Sequence, residues 1–152
     1  MKKIVYILLL ITLPSLTSLA QKLETAGIVS IYTQGIGASD DLGESLYRIE
    51  VTKTEKFNVL DRLDMMEIIQ QLEVDPKTCY GKKCMLEVGK TANVDKIISG
   101  SIENLGKKIV ITVKILDVES EDYDKIVVQE FINLGEELQL MVQITINKAL
   151  GI

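Results

Sequence analysis

The chain has 152 residues, enough for one domain, and its 47% hydrophobic and 26% charged content marks a folded core rather than a disordered segment. It contains no histidine, which excludes Ser-His-Asp and Cys-His nucleophilic catalysis, histidine zinc sites and histidine pH switches. A formal net charge of −5 argues against a protein that works by neutralising nucleic-acid phosphates.

The N-terminus reads as an address. Lys2 and Lys3 form a basic start, Ile4 to Leu13 an apolar run, and Pro14 breaks that run before the small-residue end Ser18-Leu19-Ala20. This three-part order predicts a secretory signal peptide over residues 1–20, cleaved after Ala20. The apolar stretch is shorter than the roughly 20 residues a spanning helix needs. No cysteine stands at the cleavage point, so no lipid anchor is expected, nor a transmembrane helix after cleavage. Removing 1–20 leaves 132 residues with 15 basic against 22 acidic ones, a charge of −7. The expectation is an acidic periplasmic or secreted domain over residues 21–152.

Thr25 to Tyr32 reads as a first strand, left through Gly35-Ile36-Gly37. A helix follows, capped within Ser39 to Asp41, with Leu42, Leu46 and Ile49 as its core-facing stripe. Phe57 to Leu60 is a short second strand. Asp61 caps a second helix, in which Met65, Ile69 and Leu72 share a face, and Pro76 ends that region. After a loop comes a third helix with Cys84, Val88 and Ala92 at core spacing.

Three strands complete the sheet: Asp95 to Asn104, Lys107 to Val118 and Lys125 to Ile132. The middle one alternates Ile109, Ile111, Val113 and Ile115 with Val110, Thr112 and Lys114. Asn104 to Lys107 is a tight hairpin turn, and the last two strands join through an acidic turn, so the three form an antiparallel meander. A closing helix from about Glu136 to Leu150 carries Gln139, Gln143 and Asn147 as one narrow polar stripe. It is expected to be buried on most of its circumference, in the domain or against a partner. The order predicts a single compact α/β domain, with helices packed on a mixed five-stranded sheet.

Cys79 and Cys84 are the only cysteines. An exported chain meets an oxidising space, where a close pair forms a disulfide. So short a loop contributes on the order of 2 kcal/mol and pins residues 80–83. A redox pair is the alternative, although the spacing is C-x4-C and not C-x2-C. Gly89-Lys90-Thr91 resembles the end of a phosphate-binding loop, but Cys84 stands where its first glycine belongs. Gly35-x-Gly37 lacks the third glycine of a dinucleotide site, with Asp40 in its place. Asp117, Glu119, Glu121, Asp122 and Asp124 crowd one turn without the glycine of a calcium loop, and read as a solvated acidic turn. No metal or other cofactor is expected.

Three segments in order carry a family resemblance. They are Phe57-Asn58-Val59-Leu60-Asp61-Arg62 with Met65, Ile68 and Ile69; Cys79 and Cys84 with Glu87 to Asp95; and Ile97 to Ile102, centred on Gly100, with Leu116 to Ser120. The chain resembles the CsgG-like family of bacterial envelope proteins, which includes the curli secretion component and LpoB-like proteins. The resemblance covers residues 25–120. It implies a compact domain similar to the amino-terminal domain of TolB, acting by protein contacts without catalytic residues. Asp61, Arg62 and Gly100 are its motif positions and read as structural: Asp61 as a helix cap, Arg62 as the partner of a carboxylate in its own helix. The chain is too short for the family's membrane barrel. The function implied is a non-enzymatic accessory role in envelope assembly or transport, through an envelope protein partner or self-association at the sheet edge or closing helix. A small ligand-binding module and a carboxylate-based hydrolase are the alternatives.

Overall fold

A computed structural model describes residues 22–37 and 40–152. The expected signal segment and the Ser39 cap lie outside the described residues. Five strands and four helices follow one another as β1 (Glu24–Gln34), α1 (Asp40–Lys53), β2 (Phe57–Val59), α2 (Arg62–Gln71), α3 (Lys82–Ala92), β3 (Lys96–Asn104), β4 (Lys108–Asp117), β5 (Asp122–Ile132) and α4 (Leu138–Leu150). Short 3-10 turns at Pro76–Thr78 and Gly135–Glu137 precede α3 and α4. The sheet order is β2-β1-β3-β4-β5. β1 runs parallel to β2 and β3, and β3, β4 and β5 form the expected antiparallel meander.

Alternation builds the two faces. Ile109, Ile111, Val113 and Ile115 of β4 enter one core with Ile28, Ile31, Ile98, Ile102 and Val127, beneath α1 and α4. Val29, Ile97 and Leu116 face the other way, into a second core closed by Met65 and Ile69 of α2 and Met85 and Val88 of α3. Each fully buried large aliphatic contributes about 1.5–3 kcal/mol, so the sheet is held from both sides. In the β3–β4 hairpin, Gly106 takes φ +82° and its N–H donates to Asn104 Oδ1 at 2.9 Å. That left-handed conformation suits glycine.

Helix faces differ from their sequence reading in three places. Of the expected stripe Leu46 is buried, but Leu42 and Ile49 are 43% and 44% exposed, and α1 buries Tyr47, Glu50 and Val51 in their place. The ring and hydroxyl of Tyr47 reach under the sheet. In α3 the buried residues are Met85, Val88 and Gly89, because Cys84 turns sideways into its bridge. α4 buries Met141, Val142, Thr145, Ile146 and Ala149 but exposes Leu140 and Ile144. One sheet and one neighbouring helix cover only part of its circumference.

Candidate interaction surface

Gly100 lies mid-strand in β3, opposite Val113. A Cβ there would sit 1.9 Å from the Thr112 carbonyl oxygen and 2.8 Å from the Tyr47 hydroxyl. That hydroxyl donates to the Thr112 carbonyl at 2.7 Å. Tyr47 is fully buried, which raises its pKa well above the ordinary phenol value.

Asp61 and Arg62 open α2 beside the edge strand β2. The Asp61 carboxylate accepts from the Leu63 N–H at 2.7 Å, and the Leu60 N–H donates to the Ala26 carbonyl at 2.8 Å. Arg62 does not pair within α2. Its guanidinium meets Asp41 and Glu44 of α1, each at 3.2 Å, because the β2–α2 junction brings the two helix starts together. Arg48 of α1 donates to both Glu44 and the Leu60 carbonyl, so the motif ties α1 to α2. Asp61→Ala removes one cap acceptor and is expected to cost about 1 kcal/mol in urea denaturation, with β-sheet circular dichroism unchanged.

Cys79 and Cys84 are bonded, with S–S 2.01 Å. Cys79 is wholly buried in the second core, while Cys84 is half-buried. Within the loop they close, Tyr80 meets the Tyr32 ring edge-on at 5.6 Å between centroids. Lys82 reaches Asp122 at 2.9 Å and lies 5.9 Å from the centre of the Tyr123 ring.

The acidic turn is not simply solvated. Lys82 and Lys90 of α3 pair with Asp122 and Glu121, lowering both carboxyl pKa values. Asp117 and Asp124 share the ammonium of Lys96, a residue only 8% exposed. Burial alone depresses that ammonium's pKa, but its hydrogen bonds to Asp117 and Asp124 more than offset burial and raise it. The Asp117 carboxyl is correspondingly held down to about 2 by Lys96 and by the Ser120 N–H. Five crowded carboxylates repel one another, and three lysines from α3 and β3 hold four of them in place. Nothing in the sequence pattern singles out Lys96 except that it begins an inward-facing strand. Among the described residues no group of acids and cysteines is arranged to hold a metal ion.

The open surface lies at the other end of the sheet from α2 and α3. On that face, register places Ser99, Lys114 and Ile126 in one row, Ser101, Thr112 and Val128 in the next, and Glu103, Val110 and Glu130 beyond. Tyr32 and Gln34 of β1 extend the last two rows. Ile126, Val128 and Ile132 are 52%, 53% and 75% exposed, and they stand on the edge strand. Edge backbone groups left without a neighbouring strand are a template for pairing with another chain. β5 runs 11 residues, whereas the opposite edge, β2, runs three.

No family model matches the sequence, and no curated protein matches it. Solved structures do match. The chain has the fold of the LpoB C-terminal domain. The Salmonella enterica domain superposes with a TM-score of 0.62 at 9% identity, over 72% of this chain and 83% of that one. PelC from Paraburkholderia phytofirmans, a dodecamer, superposes at 0.54 with 15% identity, over 84% of this chain and 86% of that one. TolB from Acinetobacter baumannii gives 0.52 at 11% identity, over 85% of this chain and 28% of TolB. These likenesses place the fold among LpoB-like and TolB-like structures. No helix among the described residues is long and apolar enough to cross a membrane.

Proposed function

We propose that this chain is a non-enzymatic accessory protein of the bacterial envelope, exported by residues 1–20, a minimal relative of CsgG-like proteins that acts by protein contact. The observation that carries the reading is the exposed apolar row Ile126, Val128 and Ile132 on the long edge strand β5, whose outer side pairs with no strand among the described residues. An extended segment of an envelope protein fits that edge. Its backbone would continue the sheet, and its alternate side chains would cover the apolar row. The likeness to LpoB, PelC and TolB folds supports an envelope setting, as does a disulfide, which persists in oxidising compartments.

A photo-crosslinking residue in place of Val128, expressed in the native host, tests the edge. The expected result is a discrete adduct with one envelope protein, lost when Ile126 is changed to Lys and retained when exposed Leu63 of α2 is changed to Lys. An adduct only with a second copy of this chain would make β5 a self-assembly edge. Monomer alone in the intact envelope would overturn the reading.

A further inference from the structure

The loop closed by Cys79 and Cys84 is rooted in the second core through buried Cys79, while residues 81–83 between the cysteines are exposed. Tyr80 rests on Tyr32, at the border of the open face, and Lys82 holds Asp122 and covers Tyr123. α3 itself is anchored independently, by Met85, Val88 and Gly89 in the second core and by the Lys90–Glu121 pair at its far end. The bridge thus fixes one short, largely exposed segment at the border of the open face, with Cys79 in the second core and Cys84 packed against it. We propose that this disulfide is a reducible latch, opened by a dithiol reductant, which frees Tyr80 from Tyr32 and changes the border of the β5 surface. The opening stands on the loop geometry alone; its effect on docking rests on the proposed function.

A thiolate of the reductant attacks the Cys84 sulfur, because Cys79 is wholly buried and Cys84 is half-buried. A mixed disulfide forms at Cys84 as the Cys79–Cys84 bond breaks, and Cys79 leaves with the electron pair and takes up a proton. The reductant's second thiol then attacks its own sulfur in the mixed disulfide and releases Cys84, which is protonated. Two electrons pass to the protein, and the reductant ends as a disulfide.

The test compares the mature chain oxidised, reduced with dithiothreitol, and as the Cys79→Ser/Cys84→Ser double variant. Hydrogen exchange should accelerate roughly tenfold or more in residues 78–84 of the reduced and variant forms, with β3, β4 and β5 unchanged. Tyrosine emission should change on reduction as Tyr80 leaves Tyr32. Acceleration throughout the sheet would make the bridge a staple of the whole fold, and unchanged exchange in the loop would make it inert; either overturns the latch. Crosslinking at position 128 in both redox states separates the two ideas. An adduct without loop opening retains the docking surface alone, and loop opening without an adduct retains the latch alone.

Discussion

Gly100→Ala is expected to lower stability by about 4 kcal/mol or more, and the apparent Tm by roughly 15 °C, or to prevent folding altogether. The added methyl would lie 1.9 Å from the Thr112 carbonyl oxygen, which is backbone in the middle of the sheet and has no room to retreat. It would also displace the Tyr47 hydroxyl, which occupies the space a side chain would take and donates to that carbonyl. Tyr47→Phe separates the two contributions. It leaves the backbone where it is and removes one buried hydrogen bond, for an expected loss of about 1–2 kcal/mol. Gly81→Ala is the control, since a Cβ there meets nothing within 4 Å; its expected loss stays below about 1 kcal/mol. Thermal denaturation of the three variants checks the order. A Gly100→Ala protein melting within about 3 °C of the parent would contradict the close approach described for β3 and β4.

The same residue marks the limit of what can be read from sequence. Strand β4 is legible because alternate residues meet different environments, so its period-2 pattern reports a local cause. The cap at Asp61 is legible for the same reason, its acceptor and donor lying two residues apart. Gly100 stands out only through the family resemblance, since its reason is a hydroxyl from α1, 53 positions earlier, and a carbonyl from the next strand. Spacing along one helix is visible in the sequence and suggests a partner for Arg62 within α2; its partners belong to α1 and depend on how two helices meet at β2. The stripe Leu42, Leu46 and Ile49 has helical spacing, yet with Tyr47 inserted deeply only Leu46 of the three is buried. The open face shows in the sequence only as an apolar last strand. Among the described residues no strand pairs with the outer side of β5, which is visible only in the sheet order.

Lys96 carries the second large effect, and its consequences can be followed through pH. Lys96→Met is expected to cost about 2–3 kcal/mol at pH 7, because it leaves Asp117 and Asp124 facing each other without their shared cation. The parent protein's pH profile follows from the two shifts. The Asp117 carboxyl titrates near 2 when folded and near about 3.9 when unfolded, so its contribution is present above about pH 4 and lost as pH falls towards 2. Partial exposure of the carboxylates screens that contribution to about 1 kcal/mol. Lys96 has a raised folded pKa, so its contribution is present below about 10.5, the ordinary lysine value, and lost as pH rises through the raised one. The parent should therefore show a stability plateau from about pH 5 to 10, falling on both sides. In Lys96→Met the alkaline fall attributable to this residue disappears and the acid fall becomes shallower. What acid sensitivity remains comes from Asp95, Glu121 and Asp122, whose pKa values are lowered by Thr25, Lys90 and Lys82 respectively. Urea midpoints measured across pH 2 to 11 distinguish these cases, and parallel profiles for parent and variant would show that the three charges do not act as one cluster.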